Sequence, residues 1–255
     1  MATNAPLPKN HMVNSFFGVR DRSAFTSAIQ SAINEIASGG VFAGDNLFTF
    51  GRNLSFLHDS AFMEAFERHV DNPIEKATIW RIYLLSWAAR RALTLNVPGD
   101  FVECACYRGT SARILSDYLD FGASGRNYYL YDLFEHDETN AHLRLEAHSS
   151  SLYEQVQQRF ADLDNVHVTR GKVPEILHEV SPEKIAFMHI DLNNAEAEMG
   201  ALKLLFDRMS PGAALVLDDY GWLAYRQQKF AEDPFFEALG YQVLELPTGQ
   251  GLIIK

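Results

Sequence analysis

The chain has 255 residues, enough for one large domain or for a domain with a helical extension. Hydrophobic residues make up 47% of it, which excludes wholesale disorder. Acidic residues outnumber basic ones by 33 to 22, and no run of lysines or arginines stands out, which argues against a nucleic acid or an anionic membrane as the main partner.

The amino-terminal part is predicted to contain an arm, a helix and a loop. Residues 1–20 lack the charged and apolar regions of a signal peptide, and no apolar run is long enough for a membrane span, so we expect a cytoplasmic protein. Apolar residues at helical spacing predict a helix from Asp21 that ends at Gly39. Residues 41–57 show no clear period and are predicted to be a loop that shapes a binding pocket, packs on the domain or contacts another copy.

Two further helices are predicted before the first long strand. The first is short and covers residues 58–69. The second begins with a capping signal, because Asn72 is followed by Pro73 in the first turn and by Glu75 three residues after the cap. It ends near residues 96–99, so we predict an amino-terminal arm and helical cap or lid up to residue 97.

Strands and helices alternate from Asp100 onwards, and residues 98–255 are predicted to form the catalytic domain. Near-continuous apolar runs are typical of a parallel sheet with helices on both faces. Two last strands, joined by residues 247–250, predict an antiparallel hairpin. This α/β layout is that of the Rossmann-like class I methyltransferases, which use S-adenosylmethionine (SAM). The five parallel strands are predicted at residues 100–103, 128–132, 166–169, 184–191 and 213–219.

Residues 100–113 predict a buried strand, a tight turn and the start of a helix. Gly109 permits a sharp turn, and Thr110 or Ser111 can cap the helix. A turn of this kind presents free N–H groups to a polar ligand. Because Glu103 replaces a phosphate-cradling glycine run, we expect a ligand with hydroxyl or ammonium donors.

The two cysteines, Cys104 and Cys106, lie in this strand and turn. Their spacing makes a poor disulfide pair, and without a second ligand pair they do not form a zinc site. We therefore predict buried free thiols in a reducing compartment.

Carboxylates end four of the five predicted parallel strands. Asp132 lies 29 residues after Glu103, the spacing of an acid that accepts hydrogen bonds from two ribose hydroxyls; its alternative role is a helix cap. Asp191 and Asp218 end strands that should be neighbours, about 4.8 Å apart. Carboxylates this close repel each other unless they are protonated or bridged by a cation.

An oxygen-only cluster suits Mg²⁺ or another hard divalent cation better than zinc. Asn193 or Asn194 supplies a further neutral oxygen or caps the following helix, and the sequence leaves that choice open.

Four motifs resemble the macrocin O-methyltransferase family, and the resemblance covers roughly residues 72–255. It implies SAM- and Mg²⁺-dependent methylation of sugar hydroxyls in natural products, with one relative that acts on an aminocoumarin phenol. The motifs are Glu103-Cys-Ala-Cys-Tyr-Arg-Gly109, Asp132-Leu-Phe-Glu135, His189-Ile-Asp-Leu-Asn-Asn194 and Asp218-Asp-Tyr-Gly221.

The resemblance also implies roles for single residues. The metal would be bound by Asp191, Asp218 and Asp219. The residues implied to bind SAM are Glu103, Tyr107 and Ser111 at the methionine end, Asp132 at the ribose, Phe134 beside the adenosine, and in addition Arg108, Gly109 and Asp191.

This chain departs from the family pattern at two places. Ala105 stands where the family turn normally has glycine, and its methyl group narrows the approach to the cofactor. The segment Leu-Asn-Asn-Ala-Glu at residues 192–196 replaces a more acidic, tyrosine-containing version.

Methyl transfer needs an in-line nucleophile whose oxygen has lost its proton. A divalent cation lowers the pKa of a hydroxyl and fixes its direction, and Asp191 is the predicted proton acceptor. Histidines are the alternative bases: His58 and His136 lie on predicted loops, whereas His189 is predicted to be a core residue.

We therefore predict a metal-dependent O-methyltransferase for a small hydroxylated acceptor, a sugar moiety or a phenol, in natural-product and antibiotic biosynthesis. A homo-oligomer is expected, with neither nucleic acid nor membrane as partner. The alternatives are a non-catalytic SAM-binding scaffold or regulator, and a different SAM- or nucleotide-dependent enzyme on the same fold.

Overall fold

The structure is a computed structural model that describes residues 7–136 and 145–255. The chain forms two compact units, Met1–Tyr83 and Leu84–Lys255. The predicted division at residue 97, between an amino-terminal cap or lid and a catalytic domain, concerns function and stays a prediction. Within the described residues, no helix is long and apolar enough to cross a membrane.

The first unit contains a small three-stranded sheet and short helices. Its strands are β1 (His11–Met12), β2 (Phe42–Gly44) and β3 (Leu47–Thr49), and its helices are α1 (Arg22–Asn34), α2 (Ser60–His69), α3 (Pro73–Ala77) and the start of α4 (Ile79–Thr94).

The prediction of an unstructured loop at residues 41–57 was wrong in part. Strands β2 and β3 pair antiparallel through a two-residue turn, Asp45-Asn46, in which both residues have positive φ. Asp and Asn tolerate this conformation, which two-residue hairpins of type I′ require. Each strand has only three residues, too few for an alternating pattern to be recognised. A 3₁₀ helix, Ser55–His58, follows.

The predicted second helix is divided in two. Asn72 is its cap, as predicted, because its side chain accepts a hydrogen bond from the Glu75 N–H at 2.9 Å. Thr78 then interrupts the helix between α3 and α4. Its hydroxyl donates to the Glu75 carbonyl at 2.9 Å, a local bond that competes with the helical pattern.

The second unit contains a seven-stranded sheet, and it confirms the predicted fold class. Five strands run parallel, and β10 lies antiparallel between β8 and β9. The spatial order is β6-β5-β4-β7-β8-β10-β9. The strands are β4 (Asp100–Cys104), β5 (Tyr128–Asp132), β6 (Val166–Arg170), β7 (Ile185–Ile190), β8 (Met209–Leu217), β9 (Leu244–Glu245) and β10 (Gly251–Ile254).

Helices connect the strands of this sheet, and one of them was not predicted. The helices are α5 (Thr110–Tyr118), α6 (Leu152–Arg159), α7 (Ala195–Leu205) and α8 (Arg226–Ala238). The missed helix is α8, which contains Pro234 and buries the polar residues Gln228 and Glu232, so its sequence lacks an apolar period. At the centre of the sheet all six residues of β7 are buried.

Candidate active site

A cavity of about 650 Å³ opens at the carboxyl ends of the parallel strands. Tyr107, Asp132 and Asp191, which follow or end three different strands, all border it. Ligands bind at this edge of open α/β sheets, and the volume suits a small organic ligand. The cavity therefore lies where the sequence predicted the site.

The turn after β4 has a strained backbone. Ala105, Tyr107 and Gly109 all have positive φ, and the N–H groups of Ala105 and Cys106 both donate to the Tyr131 carbonyl, at 2.8 and 3.1 Å. A left-handed alanine costs about 1–2 kcal/mol, so the departure from glycine at position 105 is a real strain. Ala105 also borders the cavity.

The predicted capping of α5 by Thr110 or Ser111 was wrong. Gly109 occupies the N-cap position with φ +69°, and no side chain caps the helix. A Cβ on Gly109 would lie 2.7 Å from Cε2 of Phe160, so packing as well as conformation requires glycine here.

Asp132 joins two turns and borders the cavity. Its Oδ2 accepts the Tyr107 N–H at 2.7 Å, and its Oδ1 accepts the Phe134 N–H at 2.6 Å. These bonds fix the carboxylate, and carboxylate oxygens are acceptors of the kind that ribose hydroxyls need. The position of Asp132 is compatible with the predicted ribose contact.

Five of the eight predicted SAM ligands do not border the cavity. Phe134 is completely buried and packs on Tyr153, with ring centroids 5.2 Å apart, so a contact with adenosine stays a prediction. The neighbouring Leu133 and Glu135 border the cavity instead. The predicted SAM-binding residues that do not border it are Glu103, Arg108, Gly109, Ser111 and Phe134, and the predicted metal ligands Asp218 and Asp219 do not border it either.

Glu103 is buried in the sheet, with 3% of its surface exposed. Its Oε2 accepts the Tyr128 hydroxyl at 2.8 Å, and its Oε1 lies 3.3 Å from Nδ1 of His189. The carboxylate therefore contacts both neighbouring strands, and its predicted contact with SAM stays a prediction.

The predicted acid pair comes together between β7 and β8, whose last residues Ile190 and Leu217 are in register. Asp191, Asp218 and His189 each offer a ligand atom, and these atoms lie within 4.8 Å of one another. Two carboxylates at this distance fit a hard divalent cation. Asp219 lies outside this group, and its role as a metal ligand stays a prediction.

His189 is buried beside two carboxylates. Its Nε2 lies 3.5 Å from Oδ1 of Asp218, opposite the contact of its Nδ1 with Glu103. Burial lowers the pKa of His189, but the close carboxylates of Asp218 and Glu103 outweigh it and raise the pKa to about 10. A histidine that already carries its proton is a poor base, and its charge offsets the buried acids.

The structure separates the roles of the two asparagines after Asp191. Asn194 is the N-cap of α7, and its Oδ1 accepts the Ala197 N–H at 2.9 Å. Asn193 has φ +55°, and its Nδ2 donates to Oδ1 of Asp191 at 3.3 Å. The Oδ1 of Asn193 is buried and has no hydrogen-bond partner among the described residues.

Besides the residues of α7 that line the cavity, among them Glu196, Gly200 and Lys203, two further groups of cavity residues were missed from the sequence. One is the segment Gly171–Glu175, which follows β6, the one parallel strand without a carboxylate at its end; its place at a strand end was the available signal. The other is His148, whose Nδ1 accepts the Leu145 N–H at 3.2 Å. Tyr107 holds the same segment, because its hydroxyl accepts the Ala147 N–H at 2.7 Å.

The alternative bases do not border the cavity. His136 stacks on His148, with ring centroids 6.0 Å apart, and is not part of the lining. His58 lies in the 3₁₀ helix of the first unit. Asp191 is thus the predicted base that the structure brings to the cavity.

Comparison with known proteins gives one family and several relatives. The family described as "Macrocin-O-methyltransferase (TylF)" matches residues 71–237. A curated relative, the 8-demethyl-8-(2,3-dimethoxy-alpha-L-rhamnosyl)-tetracenomycin-C 4'-O-methyltransferase of Streptomyces olivaceus, is 27% identical over 183 residues, which cover 63% of this chain and 70% of the relative.

Two solved structures are similar in fold. The O-methyltransferase NovP has a TM-score of 0.60 at 19% identity, over 71% of this chain and 81% of NovP. The apo structure of CalS11, a TDP-rhamnose 3'-O-methyltransferase of calicheamicin biosynthesis, has a TM-score of 0.53 at 14% identity, over 94% of this chain and 96% of CalS11. At these identities the likeness concerns the fold alone.

Proposed function

The chain belongs to the macrocin O-methyltransferase family of SAM-dependent class I enzymes, and from this premise we propose that it methylates a sugar hydroxyl or phenol of a natural product with the help of a divalent cation. The main support for the proposal is that Asp191 and Asp218 lie close together, and that Asp191 borders the same cavity as Asp132. Asp132 and Asp191 thus border one cavity, with Asp218 close to Asp191, and these carboxylates suit a ribose, a hydroxyl proton and a cation.

SAM supplies an electrophilic methyl group when bound, and a divalent cation supplies a positive charge that acidifies and orients a nearby hydroxyl. Asp132, fixed by two backbone N–H groups, accepts from the ribose hydroxyls. Asp191 and Asp218 hold the cation, and Asp191 accepts the proton of the acceptor hydroxyl. Asn193 restricts the rotation of Asp191 by donating to its Oδ1.

The acceptor class is proposed from the relatives. The names of the Streptomyces olivaceus enzyme and of CalS11 both describe methylation of a rhamnose unit. We extend this to a rhamnose-like sugar whose reacting hydroxyl has a neighbouring hydroxyl or methoxy oxygen, because two adjacent oxygens can both bind a cation.

A turnover assay tests the proposal. The purified protein is incubated with SAM, Mg²⁺ and a panel of rhamnosides and catechols, and both S-adenosylhomocysteine and methylated acceptor are quantified. We expect transfer to at least one acceptor and a loss of about 10²-fold or more in Asp191→Asn. Calorimetric SAM binding without transfer to any acceptor favours the non-catalytic alternative, and absence of SAM binding contradicts both.

A further inference from the structure

A chain of buried polar side chains crosses five strands of the large sheet. It begins at Tyr128 on β5, passes through Glu103 on β4 and His189 on β7, and reaches Asp218 after β8. The chain of side chains is completed by Thr248 and Gln250, which precede β10 in the sequence. None of the six is more than 6% exposed.

The contacts converge on one oxygen of Asp218. Gln250 donates its Nε2–H to Oδ1 of Asp218 at 2.9 Å, and Nε2 of His189 lies 3.5 Å from the same atom. On the far side of His189, Nδ1 lies 3.3 Å from Glu103, which accepts the Tyr128 hydroxyl. The Gln250 hydrogen bond restricts the rotation of the Asp218 carboxylate, and His189 adds an ion-pair contact, not a hydrogen bond, to the same oxygen.

Gln250 is itself held in one orientation. Its Oε1 accepts the Thr248 hydroxyl at 3.0 Å, so its Nε2 must face Asp218. A completely buried amide costs free energy that a leucine of similar volume would not, unless its hydrogen bonds are needed. Packing alone therefore does not explain a glutamine here.

We propose that Gln250 directly, and Glu103 through His189, are positioning residues that orient the Asp218 carboxylate towards its cation. The inference rests on the proposed use of a cation by Asp191 and Asp218. It gives Glu103 a role that differs from the predicted contact with SAM. Groups that hold a metal-binding side chain in this way typically contribute about 10–100-fold to metal affinity or activity.

Binding of Mn²⁺ alone to the full chain tests the proposal. Free Mn²⁺ is measured by electron paramagnetic resonance for the wild type, Gln250→Leu and Glu103→Gln. We expect both variants to bind Mn²⁺ about 10–100-fold more weakly. SAM affinity, measured by calorimetry, should stay within about twofold, and the turnover number should fall more than the KM for SAM rises.

Asn165→Leu is the matched control, because the Asn165 amide also donates inside the fold, to the Phe121 and Arg126 carbonyls at 3.0 and 2.7 Å, but lies at the opposite, amino end of β6. It should bind Mn²⁺ like the wild type. Thr248→Val removes only the hydroxyl that orients Gln250 and keeps the test valid if Gln250→Leu does not fold; we expect it to weaken Mn²⁺ binding in the same direction.

The outcomes distinguish the proposed metal mechanism from the proposed positioning roles of Gln250 and Glu103. A wild type that binds no Mn²⁺ contradicts the proposed metal mechanism. A wild type that binds Mn²⁺, with Gln250→Leu and Thr248→Val unchanged, overturns the positioning role alone. A directly bonded imidazole nitrogen in the Mn²⁺ spectrum, lost in His189→Gln, would make His189 a ligand and overturn the proposed route from Glu103.

Discussion

Replacement of Gly109 by alanine perturbs the turn that begins α5 at a single defined point. The added Cβ would lie 2.7 Å from Cε2 and 3.3 Å from Cζ of Phe160, and the backbone has φ +69°. The substitution thus combines conformational strain with a steric clash.

The expected cost follows from three effects. A left-handed alanine destabilises the folded chain by about 1–2 kcal/mol. Alanine also restricts the unfolded chain more than glycine does, which offsets about 0.4–1 kcal/mol of that cost. Overpacking against Phe160, a buried ring, costs about 1–3 kcal/mol more. We therefore predict that Gly109→Ala lowers the free energy of unfolding by about 2–3 kcal/mol, a fall in Tm of about 5–10 °C for a unit of this size.

Gly125 provides a matched control, because it also has φ +69° but a Cβ there would have nothing within 4 Å. Gly125→Ala should cost only the conformational part, about 0.5–1 kcal/mol. Urea unfolding of both variants, followed by circular dichroism, measures the difference. Equal midpoints for the two variants would refute the packing role assigned to Phe160.

Three further predictions concern the site and its surroundings. Ala105→Gly removes a strained φ of +69°, so stability should not fall and calorimetry should find SAM bound at least as tightly; weaker binding would count against the strain argument. Asn194→Ala should cost about 1 kcal/mol of stability as a lost cap. Asn193→Gly, which tolerates the φ of +55° at this position, should instead lower the turnover number with little loss of stability. The pKa of Glu198 is raised by burial and then by Glu232, so the folded chain holds extra protons and stability falls as pH rises above 4.5. Glu198→Gln should therefore flatten the fall in urea midpoint between about pH 5 and pH 8, and an unchanged slope would contradict the assignment.

The sequence alone was sufficient to predict the parallel sheet and the close approach of Asp191 and Asp218. Apolar runs predicted the parallel strands, and acids at strand ends predicted that Asp191 and Asp218 meet, because neighbouring parallel strands end at one edge. The capping pattern at Asn72 was also sufficient, since it depends on residues only three apart.

The direction of Glu103 depends on long-range contacts that the sequence does not contain. An acid near a strand end was predicted to face the cofactor, but its partners Tyr128 and His189 come from the strands on either side. Gln250 bonds to a carboxylate 32 residues away, and no local pattern marks it. Helix α8 was missed for a related reason, because it buries polar groups instead of an apolar stripe.

The most direct test of the proposed metal-dependent transfer is turnover with SAM that carries a deuterated methyl group. A rhamnoside acceptor is incubated with enzyme stripped by EDTA, and then with increasing Mg²⁺, and the labelled product is followed by mass spectrometry. We predict that transfer disappears with EDTA, returns with Mg²⁺, and stays absent at all Mg²⁺ concentrations in Asp218→Asn. Transfer that is indifferent to EDTA and to Asp218→Asn would contradict the account.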